Sequence, residues 1–409
     1  MTNRAPGVLE SDQVEMVGYH DLDGRPGFKL AMTVVEDRWL LYLAHFWDSG
    51  WSIVDVTDPT RPTLVRFVDG PPDTWTLQVQ AADGLLVAGL EEPRPGWGRE
   101  PSDKTKEGIL LFDIAGDNAV DPVLVGEYAT GGSGTHRNHY AGGRYALLAA
   151  SPEGYVDQML VILDVSDPSA PQEVSRWWWP GQHVGGGETA EYDRYLHGPA
   201  YVDGEYAYLP YGRVGMVTLR LSNVAEPELV SVLSFGDFGS RLGCHTVVPL
   251  HGTDLVIVNS EAIREGAAEN LNYALVVDVS DKTAPRIASW LPTPRPSGTL
   301  PYSNYFAKGG RFGPHNQHHH QDQDHLWNPQ RHVVLTYFNA GLRVYDLEDP
   351  LAPVEVGHFV PEDPEERIGV LPSTLVSQTE DVLVDARGNI FCTDKNHGLF
   401  VLRYGPGLV

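Results

Sequence analysis

The chain has 409 residues and a formal net charge of −26, with 42% hydrophobic and 21% charged residues. This balance is typical of a globular protein and not of a disordered one. Such an acidic surface repels phosphate backbones and anionic lipids, which argues against nucleic-acid and membrane partners. No apolar stretch reaches the length of a membrane span. Because Cys244 and Cys392 are too few for a disulfide framework, we expect a cytoplasmic protein.

One short phrase recurs along the chain: an apolar run that ends at an aspartate, followed by a turn rich in Asp, Ser and Pro. In chain order the seven copies, two of them degenerate, are Trp51–Asp55, Ile109–Asp113, Leu160–Asp164, Met216–Leu221, Ala274–Asp278, Leu342–Asp346 and Leu399–Tyr404. The spacing ranges from 51 residues between Asp113 and Asp164 to 68 residues between Asp278 and Asp346. This is the period of a β-propeller blade.

Each repeat reads as four strands, of which the phrase is the third. In the fourth repeat a first strand at His197–Val202 is followed by an Asp-Gly turn and a second strand at Tyr206–Leu209. The last repeat stops near Tyr404 without room for a fourth strand, and Val14–Tyr19 has the pattern of one. The sequence therefore predicts an all-β, seven-bladed β-propeller, a single domain over residues 1–409, whose ring is closed by this N-terminal strand in the last blade.

The repeated phrase is similar to the signature of the LVIVD-repeat β-propellers, and the resemblance extends over nearly the whole chain. Four segments have a closer resemblance to an uncharacterised bacterial branch of that family: Gly313–Asn316, Tyr337–Asp346, Glu380–Gly388 and Thr393–Gly398. The resemblance implies the propeller fold. It does not imply one reaction, so the function has to be inferred from the site residues.

Histidines occupy one register in successive repeats. His136, His197 and His245 each lie seven residues before the glycine of the turn between the first and second strands. Because the innermost strands of a propeller line its axial channel, we expect these imidazoles to converge at one mouth. The sixth repeat has a longer insert, in which His315 or His320 is expected to occupy the matching place.

Converging neutral imidazoles suit a divalent transition metal. We expect iron, with zinc, manganese or copper as alternatives, held by His136, His197, His245 and one of His315 and His320. Open coordination positions would then be available to a small-molecule substrate. A hydrogen-bonded polar channel that contains water but no metal is the alternative interpretation.

Three further polar residues are candidates for catalysis. Glu380 and Asp381 lie at the same level of the seventh repeat, where either could orient a ligand histidine or act as a general base. Asp381 could equally be an ordinary strand residue near a turn. His139 follows His136 by three residues and could contact the ligand residues without binding the metal itself.

These residues favour a metal-dependent enzyme. The arrangement is similar to that of carotenoid-cleaving oxygenases, propellers with iron held on the axis by four histidines, so an oxygenase of an unsaturated or aromatic substrate is the first hypothesis. A metal-dependent hydrolase or lyase and a non-catalytic interaction scaffold are the alternatives. The chain has no Gly-x-Ser-x-Gly elbow, phosphate loop, dinucleotide fingerprint or Cys-x-x-Cys motif. The sequence leaves the oligomeric state open.

Overall fold

The computed structural model of the protein describes residues 4–189, 194–235, 238, 240–266, 268–269 and 272–408. In this part of the chain, 28 strands form seven antiparallel sheets of four strands each. Helical structure is limited to short 3-10 turns, among them Gly116–Ala119 and Val184–Gly186. No helix in the described residues is long and apolar enough to cross a membrane. The prediction of an all-β, seven-bladed propeller is confirmed.

The first four sheets follow one another along the chain, and within each the strands succeed one another from the innermost to the outermost. The first blade contains β3 (Gly27–Val35), β4 (Arg38–His45), β5 (Gly50–Asp55) and β6 (Thr63–Asp69). The second contains β7 (Val79–Ala82), β8 (Leu85–Leu90), β9 (Gly108–Asp113) and β10 (Val123–Tyr128). The third contains β11 (Gly134–His139), β12 (Tyr145–Ser151), β13 (Met159–Asp164) and β14 (Gln172–Trp177). The fourth contains β15 (Tyr201–Asp203), β16 (Tyr206–Tyr211), β17 (Gly215–Arg220) and β18 (Glu228–Leu233).

The last two blades each take their outer strand from the N-terminal segment. The fifth blade contains β19 (Leu242–Pro249), β20 (Leu255–Glu261), β21 (Ala274–Asp278) and β22 (Arg286–Trp290). The sixth contains β23 (His332–Thr336), β24 (Leu342–Asp346), β25 (Val354–Pro361) and β1 (Val8–Asp12). The seventh contains β26 (Thr379–Val384), β27 (Asn389–Asp394), β28 (Gly398–Tyr404) and β2 (Val14–His20).

The N-terminal strands close the ring. β2 pairs with β28, with Val14 opposite Tyr404 and His20 opposite Leu399, so the predicted closure of the last blade is confirmed. The pairing of β1 with β25 was not anticipated from the sequence. Because the chain contributes an outer strand to two neighbouring blades before it enters the first, two ladders have to separate before the ring can open.

In six of the seven blades the repeated phrase forms the buried third strand, and in the sixth it forms β24, the second strand of the regular sheet. The aspartate at its end accepts a hydrogen bond from the backbone N–H two residues later: Asp55 from Thr57 at 3.0 Å, and Asp164 from Ser166 at 3.0 Å. This Asx turn offers the backbone an alternative to the ladder. The aspartate therefore marks where the strand ends.

The hydrophobic core lies between neighbouring blades. Tyr42 and Trp51 of the first blade pack in one cluster with Leu86 and Phe112 of the second. The rings of Trp51 and Phe112 meet edge to face, with centroids 5.0 Å apart. Because both faces of a blade are buried in this way, its middle strands are apolar at nearly every position and do not alternate.

The insert before β23 supplies the innermost layer of the sixth blade. The backbone N–H of His315 donates to the carbonyl of Thr336 at 2.9 Å, and that of His318 donates to the carbonyl of Val334 at 3.0 Å. This irregular segment is thus placed beside β23 as an inner strand would be, which carries its histidines to the axis.

Candidate metal centre in the axial cavity

The inner strands are irregular at the level where the candidate residues lie. His136 is an extra residue in β11, Gly243–His245 stand opposite a single residue of β20, and Glu380 and Asp381 stand opposite a single residue of β27. A β-bulge breaks the alternation of side chains and re-aims them. As a result, the sequence neighbours His136 and Arg137 both line the same cavity.

Four of the predicted histidines form a row. The ring centroids of His136 and His197 are 4.6 Å apart, those of His197 and His245 are 4.9 Å apart, and those of His245 and His315 are 4.9 Å apart. The last three rings are buried, and His136 is partly exposed. Residues selected from a shared register in the sequence therefore lie side by side in space.

A carboxylate that the sequence analysis missed lies at the centre of this row. The Oε2 atom of Glu261 is 3.3 Å from Nε2 of His197 and 3.3 Å from Nε2 of His245. Glu261 is the sixth residue after the start of β20, and Glu91 and Lys395 hold the same place after the starts of β8 and β27. The second strands thus also carry a register of site residues, which an alignment of second strands would have revealed.

The electrostatics of the group favour neutral imidazoles around a charged carboxylate. Burial, helped by the neighbouring His136, lowers the pKa of His197 to about 3. Burial and the Arg137 guanidinium lower the pKa of His245 well below its usual value. Burial alone would raise the pKa of Glu261, but the surrounding imidazoles and a guanidinium hold it well below its usual range. Neutral imidazole and ionised carboxylate are the forms that bind metals.

His197, His245 and Glu261 could hold a metal ion. Nε2 of His245 is fully buried and has no hydrogen-bond partner, although Nδ1 of the same ring lies 2.6 Å from Oγ1 of Thr246. Two ligand atoms bound at about 2.1 Å lie about 3.0 Å apart at an octahedral angle and about 3.4 Å apart at a tetrahedral angle. The two 3.3 Å separations at Glu261 fall inside this range. The geometry of these three residues therefore fits a bound metal ion.

His315 lies beside this group with both ring nitrogens engaged. Its Nδ1 is 2.6 Å from the backbone carbonyl of Glu380, to which only a protonated nitrogen can donate. Its Nε2 is then the acceptor for the Arg137 guanidinium at 3.1 Å. His315 is thus a hydrogen-bonded neighbour of the three candidate ligands, and its Nε2 lies 3.8 Å from Oε1 of Glu261.

His136, at the other end of the row, is held by a carboxylate. Its Nδ1 lies 2.8 Å from Oε2 of Glu91, which is also buried. Carboxylates often orient ligand histidines in this way. His136 is therefore oriented at the edge of the group, next to the ring of His197.

Glu380 borders the cavity as a buried carboxyl group. Its Oε1 lies 2.7 Å from Nζ of Lys395 and its Oε2 lies 3.4 Å from Nδ1 of His315. Burial raises the pKa of Glu380 and lowers that of Lys395. A buried carboxyl group with a perturbed pKa beside a candidate metal site is a candidate for general acid–base catalysis.

Asp381, the second predicted catalytic carboxylate, is engaged elsewhere. Its oxygens lie 3.1 and 3.2 Å from Nζ of Lys29, and Oδ2 accepts a hydrogen bond of 2.8 Å from the backbone N–H of Leu30. Both partners belong to the first blade. Asp381 thus joins the last blade to the first, and it is not among the residues that line the cavity.

The remaining predicted residues lie in other groups. The ring of His139 contacts the rings of Tyr201 and His319, with centroids 5.2 and 5.4 Å away. His320 is 5.4 Å from the ring of His251, and these two histidines form a separate candidate metal group with Asp322. The structure therefore brings His315, and not His320, to the row of imidazoles.

The row of imidazoles faces a cavity of about 370 Å³. Its apolar wall includes Phe28, Phe46, Trp75 and Leu77, which form one cluster. Its polar lining contains imidazoles of the row, Glu261, Glu380 and four arginines. A cavity of this size, apolar with a few convergent polar groups, has the features of a small-molecule site.

Comparisons with known structures support the architecture. The designed protein Ika8 superposes with a TM-score of 0.50 at 10% identity, over 99% of this chain and 100% of its own. U3-55K superposes with a TM-score of 0.57 at 8% identity, over 98% of this chain and 100% of its own. The periplasmic gluconolactonase PpgL of Pseudomonas aeruginosa superposes with a TM-score of 0.58 at 11% identity, over 89% of this chain and 98% of its own. At these identities the likeness concerns the fold alone.

Comparisons of sequence are more specific. No curated protein matches the chain. The family profile of the LVIVD repeat matches residues 41–70, 154–177 and 268–291. These segments lie in the first, third and fifth blades, and each contains all or part of a third strand. The repeat matches and the seven sheets together identify the chain as an LVIVD-repeat β-propeller.

Proposed function

We propose that this propeller is a metal-dependent enzyme whose reaction takes place in the axial cavity. A single divalent ion, iron(II) in the first instance, would be held by His197, His245 and Glu261. The observation that carries the proposal is the convergence of two neutral imidazole nitrogens on one oxygen of a charged carboxylate, each at 3.3 Å. One of them, Nε2 of His245, makes no hydrogen bond.

The donor set supports iron and an open coordination sphere. Two histidines and one carboxylate are the facial ligand set typical of non-haem iron(II) oxygenases, and the same residue types hold zinc in hydrolases. A bound iron ion would supply the redox chemistry for activating dioxygen. Arg311 donates to Oε1 of Glu261 at 2.8 Å and so leaves Oε2 free to act as a ligand.

The other residues of the cavity would serve the reaction directly. Glu380 would act as the general acid or base, since burial raises its pKa against the opposing effect of Lys395, whose Nζ at 2.7 Å also fixes the orientation of the carboxyl group. The apolar wall around Phe28, Phe46 and Trp75 excludes water from one side of the substrate. Exclusion of water strengthens each electrostatic contact inside the cavity.

A metal-dependent hydrolase or lyase is the second candidate, and Glu380 favours it. A carboxyl group that carries a proton beside a metal is suited to general acid–base catalysis, with a zinc ion as Lewis acid. The gluconolactonase PpgL shares only the fold at 11% identity, so it does not decide between the candidates. The identity of the metal does.

Elemental analysis of the purified protein tests the proposal. We expect about one metal ion per chain in the wild type, and its loss in Glu261→Gln and His245→Ala. His183→Ala, which alters a surface histidine stacked on Tyr155, is the matched control and should retain the metal. Circular dichroism of each variant checks that the fold is intact.

The metal found then selects the chemistry. Iron that binds nitric oxide, a dioxygen analogue with a distinctive EPR signal, supports the oxygenase, whereas zinc supports the hydrolase or lyase. A wild-type protein that stays free of metal after reconstitution with iron(II), zinc, manganese and copper would refute both and favour an interaction scaffold.

A further inference from the structure

The cavity concentrates positive charge inside an acidic protein. The chain has a net charge of −26 and only 29 lysines and arginines. Four of these line the cavity beside the candidate metal ligands: Arg94, Arg137, Arg241 and Arg311. Two carboxylates share that lining, Glu261 and Glu380. The lining therefore carries more positive than negative charge even before a metal ion is counted.

Arg137 is the most informative of the four because it is buried without a counter-ion. Its exposed fraction is 3%. One amino group donates to Oδ1 of Asn316 at 2.7 Å and the other lies 3.1 Å from Nε2 of His315, while Nε has no partner. It forms no ion pair with a carboxylate within the described residues. Burial lowers the pKa of this guanidinium, and the more distant carboxylates Glu261, Asp381 and Glu380 oppose that effect only in part.

A buried charge without a partner is costly, and proteins normally compensate it. Arg311 in the same cavity shows the ordinary solution, with its guanidinium 2.8 Å from Glu261. Arg137 lacks such a partner but borders empty cavity space. An anion bound in the cavity would supply the missing negative charge.

An exposed arginine, Arg241, extends the positive potential of the cavity outwards. Arg241 is exposed and makes no hydrogen bond or ion pair with any residue that the structure describes. Arg94 is also exposed but forms ion pairs with two carboxylates, 3.6 Å from Glu91 and 3.7 Å from Asp157, which offset its charge. Charges lined up along a cleft attract oppositely charged ligands from solution. This attraction matters most in a protein whose remaining surface repels anions.

Part of the cavity wall is aromatic. The rings of Phe28 and Phe46 are 5.2 Å apart, and Phe46 lies 5.6 Å from Trp75 and 6.1 Å from Trp97. A cavity of about 370 Å³ is near the lower limit of ligand sites, which run from roughly 300 to 1,000 Å³. Such a wall and volume suit one flat apolar ring.

We propose that the substrate is a small aryl carboxylate. Its carboxylate group binds to Arg137 and its ring packs against Phe28, Phe46 and Trp75. The planar guanidinium suits a carboxylate because its parallel N–H groups can bind both oxygens. This inference rests on the proposed function for the reaction, but the binding step uses arginine and aromatic residues that need no metal.

Calorimetric titration with benzoate, phenylacetate and cinnamate tests the inference. Three matched probes each lack one feature: benzamide lacks the charge, acetate lacks the ring, and inorganic phosphate lacks both the ring and the carboxylate. We expect at least one aryl carboxylate to bind about 10- to 100-fold more tightly than any of these three, the factor of one charge-assisted hydrogen bond. Equal binding of benzoate and benzamide, or tighter binding of phosphate, would overturn the inference.

Two variants assign the binding to the arginines. Arg137→Met keeps the volume and should weaken aryl carboxylate binding about 10- to 100-fold, while Arg220→Met, at a distant surface arginine, should leave it unchanged. Arg241 is exposed, so Arg241→Gln should leave the fold intact. It should weaken aryl carboxylate binding at low salt and matter less at high salt. Unchanged binding by Arg137→Met and Arg241→Gln would overturn the inference.

The titrations are run on metal-loaded and on metal-depleted protein. Binding of an aryl carboxylate to metal-depleted protein, lost in Arg137→Met, supports the inference even if the metal analysis fails. A protein that holds a metal but binds none of the three aryl carboxylates overturns the inference and leaves the proposed function standing.

Discussion

Replacement of Asp381 by asparagine should destabilise the ring at the contact between its first and last blades. Asp381 is fully buried and its oxygens lie 3.1 and 3.2 Å from Nζ of Lys29, whose side chain is 7% exposed. Asparagine keeps an acceptor for the backbone N–H of Leu30 but leaves the ammonium group buried without a counter-ion. Breaking one half of a buried ion pair costs about 3–5 kcal/mol. That is a large part of the roughly 5–15 kcal/mol by which domains are stable.

A double-mutant cycle in urea separates the charge pair from other effects of the substitution. Lys29→Met removes the ammonium group, so the double variant Lys29→Met/Asp381→Asn contains no uncompensated charge. We expect it to be more stable than Asp381→Asn alone by about 2 kcal/mol or more. Asp278→Asn breaks an exposed pair with Arg286 of similar length, 2.9 Å, and serves as the control with little effect.

The outcome also decides the role of Asp381. A strong coupling energy identifies it as a residue that holds the first and last blades together. If Asp381→Asn unfolds at the same urea concentration as the wild type, or if Lys29→Met simply adds its own loss to that of Asp381→Asn, the pair does not stabilise the closure. Asp381 would then return as a candidate for catalysis.

Three further predictions concern the fold. Burial lowers the pKa of His318 to about 3, and Nδ1 of its ring accepts from the N–H of Val384 at 3.0 Å. Since the pKa of histidine is about 6.5 in the unfolded chain, the stability contributed by neutral His318 is complete above pH 6.5 and falls by about 1.4 kcal/mol per pH unit towards pH 3. Other buried histidines such as His197 add slopes of the same sign, so the pH dependence of urea unfolding should be shallower in His318→Gln than in the wild type by about 1.4 kcal/mol per pH unit. Gly215 has a φ of +119° and a Cβ there would lie 2.1 Å from the carbonyl oxygen of Leu233, so Gly215→Ala should lower the melting temperature through a loss of about 1–3 kcal/mol. Deletion of residues 1–20 removes β1 and β2 and exposes the edges of two sheets, so we expect association in size-exclusion chromatography, whereas a monomer that unfolds like the wild type would contradict the closure.

The fold could be predicted because its strongest signals are local. The aspartate that ends each phrase binds its own backbone two residues later, so the turn is encoded within a few residues. The closing strand at Val14–His20 could be recognised because the last repeat lacked a fourth strand and the N-terminal segment has the pattern of one. The pairing of β1 could not be predicted. If the irregular insert before β23 is counted as the innermost layer of the sixth blade, β1 is a fifth layer outside the four-strand unit.

The candidate site was predicted only in part because it lies where the regular pattern fails. The shared register selected His136, His197 and His245, which the structure places in one row. Alternation of side chains along a strand implies that Arg137 points away from the axis next to His136, but the bulge in β11 turns both towards the cavity. The choice between His315 and His320 depended on an irregular insert, for which the sequence offers no periodicity.

The arginines account for why His315 is not among the three candidate metal ligands. Arg137 occupies the free nitrogen of His315, and Arg311 occupies one oxygen of Glu261. Nε2 of His197 and Nε2 of His245, each 3.3 Å from the second oxygen of Glu261, are held by neither arginine. The same guanidinium groups that would bind an anionic substrate thus also restrict which donor atoms a metal can use. Under both proposals, substrate selectivity and metal selectivity would be coupled through Arg137, because it lines the cavity and also contacts Nε2 of His315.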